Sequence, residues 1–216
     1  MDHGLEKTVS APVNKVTPKS RYHHGDLRTQ LLNAVWQLVE EKGAENFSIA
    51  EAARTAGVST AAPYRHFEDK PAILKAVVLD ALAKKGHEME RVMQPYPVGS
   101  IDRINAIGKC YIDFARDHPG IFRLMFGFSE AHDGDEELQA CGRGVFGIVI
   151  EAVANFLEVP VDNPIAAQRA YMLWTFVHGH SWLIIDGKTK AQDLEVDEDA
   201  MLAAISEGLV ASLRRN

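Results

Sequence analysis

The run Phe47-Ser-Ile-Ala-Glu-Ala-Ala-Arg-Thr-Ala-Gly-Val-Ser59, continued by Thr60-Ala-Ala-Pro-Tyr-Arg-His-Phe67, decides the fold. Ser48 followed three residues later by Glu51 is a capping box, opening a short helix through Ala56. Gly57 ends that helix in a tight turn, and Ser59 caps a second short helix two residues on. Neither approaches the ~12 residues an isolated helix needs, so both must dock on something larger. Ala52, Ala53 and Ala56 are small enough for two helices to cross closely, and Val58 plugs the crossing. The pattern predicts a helix–turn–helix. Its second helix exposes Ser59, Thr60 and Ala61 at the end that meets base edges in such motifs, with Arg65 a further base reader. Ser48, Tyr64, His66 and Lys70 are spaced to reach phosphates. Phe67 reads as core. Pro63, at the fourth helical position, is expected to forfeit only the bond to Ser59.

Working outward, Leu27, Leu31, Leu32, Ala34, Val35, Leu38 and Val39 recur at spacings of three and four and predict a scaffold helix from Asp26 to a stop at Gly43. Met1 to Ser20 has no hydrophobic period and reads as a disordered arm over 1–20. Asp69-Lys70-Pro71 caps a new helix reaching about Met93. Pro95, Pro97 and Gly99 then break the chain. These breaks divide it into a reading head over 21–68, a connecting helix over 69–98 and a second domain over 99–216. In that domain the stripe from Ile101 to Phe114 stops at His118-Pro119-Gly120, and a short apolar segment runs from Ile121 to Phe128. Further helices are expected from Asp135 to Leu157, from Asn163-Pro164 to Asp186-Gly187, and from Asp197 to Arg214. No stretch alternates as a strand does, so the fold class is all-α: a three-helix head followed by a helical bundle.

The chain has 216 residues and a net charge of −7, which at first argues against nucleic acid. The charge is uneven, however: residues 1–94 sum to +1 and residues 95–216 to −8, so the acidity belongs to the second half. No uninterrupted apolar run reaches the ~20 residues of a membrane span. Met1 to Pro18 does not read as a secretory signal. Cys110 and Cys141 suit a reducing compartment. The expectation is a cytoplasmic protein with no membrane partner.

Ile49-Ala50, Ala56-Gly57-Val58-Ser59, Tyr64-x-x-Phe67 and Lys70, in this order and spacing, resemble the signature of the TetR family of bacterial repressors over roughly residues 23–74. Pro63 departs from it, where most members carry an ordinary helix former. Tyr22-His-His-Gly-Asp-Leu-Arg28 and Trp174-x-x-x-His178-Gly179 resemble one branch whose C-terminal domain carries a Trp–His–Gly motif. The resemblance implies a homodimeric repressor on a palindromic double-stranded DNA operator, released by a small-molecule effector of unknown identity.

Other features are weaker. His23-His24 and His178-x-His180 suggest metal ligands, yet histidines two apart on a helix point to different faces. Asp133-Gly-Asp-Glu-Glu137 lacks the ligand spacing of a calcium loop and suits a helix start instead. Free cysteines are usually inert packing. No phosphate loop, nucleophile elbow or metalloprotease motif occurs, so no catalytic residue, metal or cofactor is expected. Arg21, Lys19 and Arg28 form a basic arm suited to phosphates or to solvent alike. Cys110, Phe114, Phe122, Phe126, Phe146, Trp174 and His178 are the candidates to line an effector cavity. Ala170, Val177, Trp182, Leu202, Ile205, Leu209 and Leu213, on the last two helices, are the candidates for a four-helix dimer interface, beside the small residues Gly179, Ala204 and Gly208. The competing reading is a helical small-molecule carrier or enzyme with a vestigial helix–turn–helix.

Overall fold

The computed structural model describes residues 1, 24–127, 134–193 and 195–211. The expected arm, with Lys19 and Arg21, lies outside the described residues, as do Phe128, Asp133 and Leu213. Among the described residues every regular element is helical. In chain order they are α1 (His24–Lys42), α2 (Ile49–Thr55), a 3-10 turn (Pro63–Arg65), α3 (Lys70–Met93), α4 (Ile101–Asp117), α5 (Pro119–Gly127), α6 (Glu136–Leu157), α7 (Pro164–Ile185), α8 (Lys188–Ala191) and α9 (Glu198–Ser206), the last continued by a π turn (Glu207–Ala211).

Polar caps set most of the helix starts. Asp69, Asp135, Asn163 and Asp197 each accept a hydrogen bond from an amide in the first turn of α3, α6, α7 and α9. Ser48 caps α2 by accepting from Glu51 N at 3.1 Å. Only half of the expected capping box forms, because the Glu51 carboxylate turns to the Lys42 ammonium. Gly43 leaves α1 at φ +82° and Gly57 leaves α2 at φ +69°, conformations that glycine adopts without strain.

Two further expectations change. The segment after Ser59 is a 3-10 turn and not an α-helix. Pro63 has no N–H to give the Ser59 carbonyl, so the Ala62 amide takes that carbonyl at 2.9 Å across three residues, and the chain winds tighter. The last helix is α-helical only to Ser206 before it widens into the π turn at Glu207.

Two apolar cores result. The first joins α1, α2 and the front of α3 around Leu31, Val35, Phe47, Phe67, Ile73 and Val77. The second joins α4, α6, α7 and α9 around Ile112, Phe122, Val153, Ala170 and Leu202. Helices α3 and α5 contribute to both: Ile121 and Leu124 of α5 enter the first core and Phe122 the second. Helix α6 is long and apolar enough, by length and composition alone, to cross a membrane. Here it packs against α3 and α7 and buries Ala152, Val153 and Phe156.

The start of α5 is fastened to α1. The Glu40 carboxylate accepts from Gly120 N at 2.8 Å and Ile121 N at 3.0 Å, amides that have no partner within the helix. The approach is close enough that a Cβ at Gly120 would stand 2.6 Å from the Val39 carbonyl oxygen. Replacing Gly120 with Ala should therefore cost about 1–3 kcal/mol in urea unfolding, as an overpacked contact does. Gly147→Ala in α6, where nothing lies within 4 Å of the added carbon, should instead stabilise by about 0.5–1 kcal/mol.

Candidate functional site

The turn after α2 presents a continuous polar surface. Ser59, Thr60, Ala61, Tyr64 and Arg65 are all exposed, and Tyr64 keeps 59% of its surface open. Ala62, Pro63 and Phe67 face inward and anchor the turn on the first core. His66 is half-buried beside Phe67. Ser48 is exposed, and after accepting the Glu51 amide its hydroxyl hydrogen remains to donate. Arg54, exposed in the last turn of α2 just before the turn, is absent from the sequence-based set.

Lys70 does not belong to that surface as expected. Its ammonium donates to the Glu45 and Phe47 carbonyl oxygens, each at 2.9 Å, and lies 4.4 Å from the Phe47 ring centre. It holds the α1–α2 loop to the start of α3, which makes it a positioning residue for the turn. Arg28 likewise places its guanidinium over the Phe67 ring at 5.6 Å.

A partly open cavity of about 330 Å³ lies between α3, α4, α5, α6, α7 and α9. Its walls are almost wholly apolar, with Met89, Ile107, Phe126, Phe146, Trp174 and Leu202 among them. Of the residues proposed to line it, Phe126, Phe146 and Trp174 do so. Phe122 is fully buried packing between α4 and α7. Cys110 and Phe114 face an outer groove against α1, which shares Lys85 with the cavity. Burial pushes the Cys110 thiol up, away from reactivity.

His178 stands behind the wall. Trp182 Nε1 donates to His178 Nε2 at 3.0 Å, and an indole nitrogen can only donate. The hydrogen of the neutral ring therefore sits on Nδ1, 2.8 Å from the Tyr111 hydroxyl oxygen. Burial, together with the charge of Lys85, lowers the His178 pKa and keeps the ring neutral. Trp174 Nε1 reaches the same Tyr111 oxygen at 3.2 Å. The Trp174–His178 pair thus supports one phenol from behind. His180, two residues on, turns instead to Glu198 at 3.4 Å.

The group that sequence reasoning missed is Lys85. It is 4% exposed, lies between the cavity and the outer groove and lines both, and its Nζ has no hydrogen-bond partner among the described residues. It lies over the rings of Tyr111 at 3.8 Å and Phe114 at 4.5 Å. A signal existed: Val77, Ala81, Lys85 and Met89 follow one another at intervals of four, putting a lysine in the middle of an apolar stripe.

The expected interface residues mostly point inward. Ala170, Val177 and Leu202 are buried within the subunit. Trp182 packs edge-on against Phe122, and Ile205 lines the cavity. Leu209 is half-buried against the second core. What α7 leaves outside is the stripe Gln168, Tyr171, Thr175, Gly179 and Leu183, and α9 with its π turn leaves Ala200, Ala204 and Gly208.

Residues 31–77 match the family described as bacterial regulatory proteins, tetR family, and residues 104–209 match a tetracyclin repressor-like C-terminal domain. The nucleoid occlusion factor SlmA of Haemophilus influenzae (strain PittGG) is 30% identical over 158 residues, 71% of this chain and 67% of the relative. SlmA of Marinomonas sp. (strain MWYL1) is 32% identical over 46% of this chain and 50% of its own length. The chain spans about half the length of the first curated relatives it matches. Among solved structures, a protein with unknown function from Rhodococcus sp. RHA1 superposes with a TM-score of 0.74 at 24% identity, covering 91% of this chain and 99% of that one. The transcriptional regulator FadR from Bacillus subtilis, in complex with stearoyl-CoA, gives 0.63 at 13% identity, covering 85% and 97%. At these identities the structures share the fold.

Burial pushes Lys85 down from the ordinary lysine value to about 7. Between that value and about 10.4 the unfolded chain binds a proton that the folded chain lacks, so stability rises with pH across this window and the full penalty applies below it. Lys85→Met should raise the melting temperature by roughly 5 °C at pH 6, with the gain shrinking toward pH 10, measured by calorimetry.

Proposed function

The chain belongs to the tetR family of bacterial regulatory proteins, and on that premise we propose that it is a cytoplasmic, homodimeric DNA-binding transcriptional repressor released by a small-molecule effector. The observation that carries the reading is the exposed turn anchored by Ala62, Pro63 and Phe67. Thr60, Ala61 and Arg65 read base edges in the major groove, with Ser59 at the same end of the turn, while Ser48, Tyr64 and His66 hold phosphates. The molecule acts by binding and not by catalysis. The acidic second half stays away from the duplex, and the near-neutral head over 21–68 meets it.

Two subunits joined through the outer faces of α7 and α9 would set their turns on half-sites about 35 Å apart. Gly179, Ala204 and Gly208 allow the helices to approach, and Tyr171 and Leu183, 58% and 50% exposed, supply apolar area. Helix α5 supports a route from effector to head. Its Met125 and Phe126 line the cavity, while its first turn is held by Glu40 of α1. An effector that displaces Phe126 shifts α5, and α1 with it. It must bind the DNA-incompetent arrangement more tightly, or the equilibrium does not move.

Fluorescence anisotropy on DNA from upstream of the coding region, at two salt concentrations with an unrelated duplex as competitor, tests the reading. Binding should survive the competitor and weaken steeply with salt. Arg65→Ala should cost about 1–3 kcal/mol and relax preference at one base position. Equal, weak binding to both duplexes would sink the DNA role and favour the small-molecule carrier. For the interface, Leu183→Asp should shift sedimentation from dimer toward monomer without unfolding the chain, and an unchanged dimer would place the contact elsewhere.

A further inference from the structure

We infer that the cavity takes a compact apolar acid, its carboxylate received by the Lys85 ammonium and the Tyr111 hydroxyl hydrogen. The inference rests on the effector reading above and names the chemical class of the ligand.

Two unsatisfied donors on adjoining helices carry it. The first is the Lys85 Nζ, buried on α3 without a partner in the wall that the cavity shares with the outer groove. A buried ammonium with no counter-charge is among the costliest arrangements in a protein core, and an anion at hydrogen-bond distance removes the cost. The faces of Tyr111 and Phe114 flank the ammonium with electron density but give it no hydrogen-bond acceptor. The second donor follows from counting hydrogens. Trp174 Nε1 and His178 Nδ1 both direct hydrogens at the Tyr111 oxygen, which leaves the phenol's own hydrogen to be given away. Among the described residues no acceptor receives it. Burial holds this phenol well above its ordinary pKa, so it stays a donor.

The two donors are neighbours, since the Lys85 Nζ lies 3.8 Å from the centre of the Tyr111 ring. A carboxylate has two oxygens, one for each donor. Apart from Ser206 and Arg143, which is exposed to solvent, the remaining wall, including Met89, Ile107, Phe146, Leu173 and Val177, offers apolar contact and suits a hydrocarbon or aryl body. An amine is disfavoured, because it would bring a second cation against Lys85. A neutral alcohol of the same body fills the same space and can accept one hydrogen bond, but brings no charge to balance the ammonium.

Isothermal titration calorimetry on the full chain at pH 6.5 tests this with decanoate and 4-phenylbutyrate against decan-1-ol and 4-phenylbutan-1-ol. The wild-type protein should bind at least one acid tenfold or more tightly than its alcohol. Lys85→Met, checked for folding by its melting transition, should abolish or reverse that preference, and Tyr111→Phe should weaken the same acid several-fold. Binding of neither acid, equal affinity for acid and alcohol, or an acid preference that survives Lys85→Met would each overturn the inference. Operator binding, measured on the same preparation without ligand, separates the two claims. An intact acid preference without operator binding overturns the regulatory reading alone; operator binding without an acid preference overturns the inference alone.

Discussion

The arrangement depends most on the contact between the Glu40 carboxylate and the first free amides of α5. A helix start with open amides and partial positive charge accepts an anion readily, and this one comes from another helix, α1. Gly120 makes the contact possible, because any larger residue would meet the α1 backbone. Through this joint the head and the second half share one helix, whose two faces enter separate cores. Without it they would meet mainly through α3, and strain in the cavity wall would have fewer ways to reach α1.

Much of this was legible in the sequence because it rests on local rules. Asp69, Asp135, Asn163 and Asp197 announce helices by capping chemistry that acts within four residues. The exposed turn residues Ser59, Thr60, Ala61, Tyr64 and Arg65 were readable because the Gly57 turn and the Ser59 cap fix where the second segment of the motif begins and Phe67 marks where it turns into the core. The 3-10 winding was half visible. Pro63 announced one missing hydrogen bond, but whether the following residues recover α geometry depends on how Phe67 seats in the core.

What was not legible is what lies across the fold. Lys70 carries the charge of a phosphate ligand, yet two loop carbonyls 23 and 25 residues upstream claim it. Phe122 and Phe126 share α5 and an aromatic ring, and only the packing of α4 and α7 decides that one fills the core and the other a cavity. Ala170, Val177 and Leu202 show the small or apolar character of an interface, but the same character serves the interior. The four-residue rhythm that contains Lys85 could be read, and its meaning required a cavity.

The buried ammonium of Lys85 also bears on how long the protein lasts. An empty molecule that holds a charge in its core has a smaller unfolding free energy, and the population open to proteases grows in proportion. Any bound anion that neutralises the charge adds stability by mass action. With such a ligand, occupancy would bear on turnover as well as on state, since filled molecules would expose less unfolded chain to proteases than empty ones.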